Sequence, residues 1–203
     1  MAGSTPGHSP MAGDPESCRT LQTVIIEALQ EFVADAAGDG WVGREREAVN
    51  RFVFRHLLPK VGHAGSPLQD VGQIGIEVSI PNGVATNGKR KAAIAKDLVI
   101  WPEPYGTAWE SGGTSWTPTH FPLAVIEWKV WRGRALMHMK QDVAEAKWIR
   151  AWMERTQETP LVMTVSLSFT PTDVALHWRT WRGPPREDTV GPRPRIRGGA
   201  VGY

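Results

Sequence analysis

Hydrophobic residues recur at helical spacing in two stretches near the start of the chain. Over residues 19–37, apolar positions return every three or four residues, and glycines at positions 38 and 40 end the pattern. Residues 44–58 show the same spacing, which ends before Pro59. The pattern therefore predicts two consecutive helices.

Farther along, apolar residues come in shorter runs rich in β-branched and aromatic side chains, which is typical of strands. Residues 102–118, rich in Gly, Pro, Thr and Trp, are expected to form a long loop. Helical spacing returns at 135–155. The predicted strands cover residues 74–80, 92–101, 121–131, 160–170 and 174–181.

This order of elements predicts an α/β fold, because a meander of strands followed by a crossover helix gives a mixed central sheet flanked by helices. At 203 residues and 41% hydrophobic, the chain can bury one good core, so we predict one domain over residues 19–182. Residues 1–18 and 183–203 have the Gly- and Pro-rich composition of disordered tails.

The cysteine content and the hydropathy of the chain indicate in which cellular compartment the protein is expected. The single cysteine, Cys18, excludes an intramolecular disulfide and fits the reducing cytoplasm, where we expect the protein. No apolar run approaches the ~20 residues of a membrane helix, and no secretory leader is evident, so no membrane association is expected.

Positive charge is unevenly distributed along the chain. The net charge is +2, yet the first 40 residues hold one arginine against six acids, so the remainder carries +7. Bases cluster in residues 44–60, 129–150 and 179–197. Such clusters suit a nucleic-acid backbone, although ordinary solvated helix faces and a basic tail are the alternative.

The candidate chemistry lies in two strand-like runs. Glu127 and Lys129 stand two positions apart, so their side chains share one face of a strand. Burying both is costly unless they pair or form a site. Asp97 lies in the preceding apolar run. Two carboxylates on neighbouring strands with a lysine form a minimal site for a divalent metal and phosphodiester hydrolysis, whereas a salt bridge at a strand end, or a turn cap for Asp97, is the structural alternative.

With these residues, the chain resembles the PD-(D/E)xK nuclease superfamily over about residues 43–170. That family carries an acid on the second core strand and acid-x-Lys on the third, which Asp97 and Glu127-Trp128-Lys129 match. The family's proline before the first acid is replaced here by Lys96. The resemblance implies a restriction-endonuclease-like αβββαβ core, here preceded by an extra N-terminal helix.

The resemblance also implies a Mg²⁺-dependent nuclease that acts on DNA, with Mn²⁺ as a substitute. Asp97 and Glu127 would bind the metal through their carboxylates, and the carbonyl of Trp128 would be a third ligand. Lys129 would orient or deprotonate the attacking water, or stabilise charge on the phosphate. The acid, acid-x-Lys set thus assigns catalytic roles to Asp97, Glu127 and Lys129.

Many relatives add an acid on the helix before the first strand. Glu45 and Glu47 are the candidates here, and we favour Glu45 as a catalytic residue because it shares a helix face with Val49 and Phe52. An interaction with the helix dipole is the alternative for either glutamate.

Four bases after the third strand are candidates for contacting nucleic-acid phosphates, or else belong to a charged helix exterior. They are Arg132, Arg134, Lys140 and Lys147. Two other interpretations of the chain stay open at this point: a non-catalytic module of the same fold that binds nucleic acid or protein, and an unrelated α/β domain with a chance motif. A homodimer is a further open alternative.

Overall fold

The computed structural model describes residues 15–41, 43–81, 93–106, 109–112, 115–118, 121–132, 151–154, 160–170, 173–181 and 195–197. These residues form an α/β fold in which helices lie against a mixed sheet. The α/β class and the mixed sheet agree with the sequence prediction.

Two helices precede the sheet, as the apolar periodicity predicts. Helix α1 spans Pro15–Gly38 and helix α2 spans Glu45–Phe52. A π-helical turn, Val53–Leu57, and a 3₁₀ turn, Leu58–Lys60, continue α2, so the second predicted helix is α-helical only in its first half. The 3₁₀ turn contains Pro59, which lacks the N–H that a longer helix needs.

Eight strands follow in the part of the chain that the structure describes. They are β1 Ile74–Pro81, β2 Ala93–Ile100, β3 Trp109–Gly112, β4 Ser115–Pro118, β5 Ala124–Arg132, β6 Leu161–Thr170, β7 Asp173–Trp181 and β8 Arg195–Arg197. Six of them form one sheet in the order β1-β2-β5-β6-β7-β8, in which β5 and β6 run parallel and the other neighbours antiparallel. β5 and β6 run parallel because the chain crosses back between the end of β5 and the start of β6.

Three predicted boundaries differ from the observed ones. The stretch expected to be loop, residues 102–118, contains the β3–β4 hairpin. Helix α1 starts within the predicted N-terminal tail, and β8, within the predicted C-terminal tail, pairs with β7. Tertiary pairing stabilises such short segments where composition alone favours disorder. Of the helix predicted at 135–155, the described residues 151–154 are helical.

Apolar side chains cover both faces of the sheet. On the α1/α2 face, Leu98, Ile126 and Met163 are fully buried against the two helices. On the opposite face, Val125 and Val162 pack with Trp152 of the helical residues 151–154. Burial on both sides explains why the central strands read as nearly continuous apolar runs.

Trp128 of β5 anchors the α1/α2 face. Its side chain is fully buried, with ring centroids 5.6 Å from Phe32 of α1 and 5.2 Å from Phe52 of α2. Arg51 ties the same two helices together, because its guanidinium pairs with Asp35 at 2.9 Å and with Asp39. These contacts hold the end of α2 against α1 and against the middle of β5. Within the described part of the chain, the helices lack the length and apolar character needed to cross a bilayer.

Candidate active site

A fork between β2 and β5 places the predicted acids together. In the described residues, the register between these strands covers three pairs, which end at Leu98↔Ile126. Beyond that pair, β2 continues along β1 and β5 continues along β6. The side chain of Asp97 enters this fork, and its Oδ2 accepts a hydrogen bond of 2.7 Å from the Trp128 N–H. A carboxylate oxygen thus takes the place of a strand carbonyl as acceptor.

Glu127 and Lys129 meet on one face of β5, as strand alternation requires. The Lys129 Nζ donates to Glu127 Oε1 at 2.9 Å and to the Trp128 carbonyl at 2.6 Å. Both side chains are largely buried, with 14% and 18% of their surfaces exposed. The glutamate and the lysine are therefore paired within the domain and are held in a defined geometry.

Helix α2 contributes Glu45 to the same cluster. Glu45 Oε1 lies 3.3 Å from Lys129 Nζ, although the two residues are 84 positions apart in sequence. Glu47 has a different contact, because its Oε2 accepts a 2.7 Å hydrogen bond from the Arg44 N–H at the start of α2. Of the two candidate helix acids, Glu45 reaches the lysine of the fork, and Glu47 caps the helix.

Charge and burial perturb the protonation of the fork residues. Burial, together with the negative charges of Glu127 and Glu45, raises the pKa of Asp97 to about 6, although the Trp128 hydrogen bond and Lys129 act in the other direction. For Lys129, burial disfavours the ammonium form, but Glu127, Glu45 and Asp97 outweigh it and raise its pKa. Lys129 is therefore a charged ammonium at neutral pH.

In β1, the alternation of side chains between the two faces of the sheet is interrupted at Glu77, beside the fork. Alternate residues of a regular strand share a face, yet Ile76 packs on the α1/α2 face and Val78 on the opposite one. Between them, Glu77 has a φ of 54°, in the left-handed region that costs a non-glycine residue roughly 1–2 kcal/mol. Gly75 is required here because a Cβ at this position would lie 2.4 Å from a Val78 methyl.

Side-chain alternation in β2 is interrupted at the same level, since Glu77 and Asp97 both lie between the register pairs Ile76↔Leu98 and Val78↔Lys96. Ile94 packs on the opposite face, whereas Leu98 packs on the α1/α2 face. The change brings two consecutive side chains into the site. Asp97 enters the fork, and the Lys96 Nζ reaches Glu127 Oε2 at 3.2 Å.

A cleft of about 210 Å³ opens beside the fork. Asp97 and Glu45 line it, together with Glu77 and Arg46, which form an exposed ion pair of 2.5 Å. The cleft has room for a phosphate group, and both signs of charge line it. The remaining lining residues are Arg44, Val49 and Ile76.

The oxygens of the fork fit a cation. Three oxygens surround the ammonium of Lys129, namely Glu45 Oε1, Glu127 Oε1 and the Trp128 carbonyl, so a positive charge of the chain itself already occupies this oxygen cluster. Carboxylate and carbonyl oxygens are the ligands that Mg²⁺ prefers. In the described part of the chain, no three His, Cys, Asp or Glu side chains converge to hold a metal by themselves. A metal here would thus need the main-chain carbonyl.

The structure brings four predicted residues together: Glu45, Asp97, Glu127 and Lys129. The predicted metal ligand Trp128 contributes its backbone to the same fork, while its side chain belongs to the core. The predicted phosphate contacts Arg134, Lys140 and Lys147 lie outside the described residues, as does the side chain of Arg132.

Sequence reasoning missed Lys96, Glu77 and Arg46. Regular alternation assigns Lys96 to the face away from Asp97, so no local pattern pointed to it. Glu77 is an acid in an apolar run, like Asp97, and this was a usable signal. Comparison of the chain with family models, with curated proteins and with solved structures finds no match.

Proposed function

We propose that this protein is a metal-dependent nuclease that hydrolyses phosphodiester bonds in DNA. The observation that carries the proposal is the fork, where Asp97, Glu127 and Lys129 meet Glu45 around one cluster of oxygens. Acids and a lysine from three separate elements converge there at the edge of an open cleft. A purely structural salt bridge needs only one acid and one base. Here three acids, Glu45, Asp97 and Glu127, surround the two bases Lys96 and Lys129, and the neighbouring acids destabilise the charged form of one carboxyl.

The order of elements supports a restriction-endonuclease-like core. Helix α2 is followed by β1, β2 and β5, and then by helical residues 151–154 and β6, which gives αβββαβ once the β3–β4 hairpin is counted as an insertion. Within the sheet, β1, β2, β5 and β6 are consecutive neighbours. Helix α1 is then the extra N-terminal element, and β7 and β8 extend the sheet beyond the core.

Asp97, Glu127 and the Trp128 carbonyl are the groups that would hold Mg²⁺, or Mn²⁺ in its place. When bound, the ion would polarise the scissile phosphate and lower the pKa of a water molecule. Asp97 is kept oriented by its hydrogen bond to the Trp128 N–H, which leaves Oδ1 directed to other partners. The raised pKa of Asp97 favours a nearby positive charge, because a cation relieves the repulsion among the three acids.

Lys129 acts in this mechanism as a charged hydrogen-bond donor. Since its pKa is raised, it keeps its proton at neutral pH and is not a general base in the described state. Its ammonium can stabilise the negative charge that grows on the phosphate oxygens during attack. Glu45 orients that ammonium from the opposite side, at 3.3 Å. Binding of the substrate phosphate would shift Lys129 from its acid partners toward the substrate.

Cleavage assays on purified protein test the proposal. Plasmid and oligonucleotide DNA, single-stranded and duplex, and RNA are incubated with Mg²⁺, Mn²⁺, Ca²⁺ or EDTA. We expect cutting of DNA with Mg²⁺ and Mn²⁺ only. Asp97→Ala and Glu127→Ala should abolish it, and Lys129→Met should lower the turnover by about 10²–10³, the usual cost of one lost donor to a developing anion. The exposed Glu103→Gln is the matched control and should cut normally.

Two results would overturn the proposal. One is a wild-type protein inert on every substrate with both metals; retained DNA binding would then indicate a non-catalytic module of the same fold. The other is cutting that persists in Asp97→Ala and Glu127→Ala, which would indicate a contaminating nuclease or a different site.

A further inference from the structure

We propose that Lys96 is a positioning residue that holds one oxygen of Glu127 and thereby restricts the site to a single divalent metal ion. This inference rests on the proposed nuclease function and adds to it a residue and a metal count. Lys96 stands where the resembling family carries its proline, so no role is transferred to it by that resemblance.

Burial distinguishes Lys96 from the other bases near the fork. Only 3% of its side chain is exposed, compared with 18% for Lys129 and 71% for Arg46. A buried ammonium is costly unless it is paired and hydrogen-bonded. Lys96 contacts Glu127 Oε2 at 3.2 Å, so its charge lies beside the carboxylate that the proposed mechanism uses.

The distortion of β1 and β2 is what places Lys96 there. In a regular strand, Lys96 and Asp97 would project to opposite faces of the sheet and would not both join one cluster of side chains. Here both do, because the facing of β2 changes at Asp97, across from the left-handed Glu77. The backbone strain at Glu77 thus accompanies a second lysine in the site.

The position of the Lys96 ammonium favours a single metal ion. Lys96 engages Glu127 Oε2, and the Trp128 N–H engages Asp97 Oδ2. The other two oxygens are Oδ1 of Asp97 and Oε1 of Glu127, and Oε1 accepts a 2.9 Å hydrogen bond from the partly exposed Lys129. A two-metal centre, whose ions lie about 3.5–4 Å apart, needs carboxylate oxygens shared between both ions. A second ion bound to Glu127 Oε2 would lie beside the buried ammonium of Lys96, 3.2 Å from that oxygen, and the two positive charges would repel each other.

The two lysines on Glu127 have different roles in this proposal. Lys129 has alternative acceptors at the Trp128 carbonyl and Glu45, and it is partly exposed, so it can leave Glu127 Oε1. Lys96 is enclosed and holds Oε2. In this proposal, Lys96 keeps the Glu127 carboxylate in place, and Lys129 can move away from it.

Titration of the full-length protein with Mn²⁺, with free Mn²⁺ measured by electron paramagnetic resonance, tests the inference. We expect wild type to bind one Mn²⁺. Lys96→Gln should bind Mn²⁺ several-fold more tightly, because the neighbouring positive charge is gone, while its turnover at saturating Mn²⁺ falls about 10–100-fold, since Glu127 has lost its orienting partner. Lys96→Arg should restore the weaker affinity and part of the turnover.

Opposite changes in metal affinity and turnover separate positioning from stability, because partial unfolding would lower both. Lys60→Gln is the matched control, since Lys60 also forms an ion pair, with Glu31 at 2.7 Å, but lies outside the fork. Circular dichroism checks folding, and Lys96→Met, which fills the same space without a charge, replaces Lys96→Gln if that variant does not fold.

The outcomes distinguish this inference from the proposed function. Two Mn²⁺ ions bound to wild type would overturn the inference, and so would a Lys96→Gln variant with wild-type affinity and turnover, while DNA cutting by wild type would leave the nuclease proposal standing. A wild-type protein that neither binds Mn²⁺ nor cuts DNA would overturn both.

Discussion

Replacing Asp97 by asparagine should stabilise the metal-free protein at neutral pH. The raised pKa of this carboxyl means that its charged form is disfavoured in the folded state relative to the unfolded chain. Asparagine has nearly the same shape, and its carbonyl oxygen can still accept the hydrogen bond from the Trp128 N–H. The substitution therefore removes the repulsion from Glu127 and Glu45 without removing the contact that orients the side chain.

The size of the effect follows from the pKa of Asp97, which rises from 3.8 to about 6. At ~1.4 kcal/mol for each pH unit, a fully enclosed group would lose about 3 kcal/mol of stability. Because Asp97 is only partly buried, solvent screening reduces this to about 1–2 kcal/mol. For a chain of this length, the melting temperature of Asp97→Asn should rise by about 2–8 °C.

The effect has a definite dependence on pH. Between its unfolded and folded pKa values, Asp97 binds more protons in the folded state, so its contribution to stability falls as the pH rises from about 4 to 6. Above this window the full cost is present, and below it the cost disappears. The advantage of Asp97→Asn over wild type should therefore be small at about pH 4 and complete at about pH 7.5.

Urea unfolding in EDTA, followed by tryptophan fluorescence at several pH values, measures this difference. Glu103→Gln, which removes a carboxylate from an exposed loop position, is the matched control and should show no such trend. A destabilised Asp97→Asn at neutral pH, or an advantage that stays constant between acid and neutral pH, would refute the reasoning.

Three further substitutions give separate tests of the site and its support. Glu45→Gln should lower DNA cleavage more than Glu47→Gln, since Glu45 contacts Lys129 and Glu47 caps α2; kcat/KM for both variants checks this, and the reverse ranking would contradict it. Glu77→Gly should raise the unfolding free energy by about 1 kcal/mol relative to Glu77→Ala, because only glycine relieves the left-handed backbone; equal stabilities in urea would argue against strain there. Trp128→Ala should cost about 3–5 kcal/mol, as its buried ring joins α1, α2 and β5, and a loss below ~1 kcal/mol would mean that this contact does not hold the helices.

The sequence alone predicted most of the elements and four residues of the candidate site, Glu45, Asp97, Glu127 and Lys129. Apolar spacing located both N-terminal helices and the long strands of the main sheet, because burial of one helix face or of both strand faces leaves a regular pattern in the sequence. The spacing of Glu127 and Lys129 was sufficient to put them together, since alternation within one strand is a local property. The short strands β3, β4 and β8 were missed, because such segments depend on their partners.

Only the tertiary structure decided how the strands part and which other residues join the site. The fork depends on where the β2–β5 pairing ends, and Glu45 meets Lys129 because the buried ring of Trp128 fixes α2 above β5. Lys96 reaches Glu127 because two paired strands change facing at Glu77 and Asp97, which no periodicity in one strand reveals. Local spacing fixes which neighbours share a face, whereas contacts between distant elements depend on pairing and packing of the whole sheet.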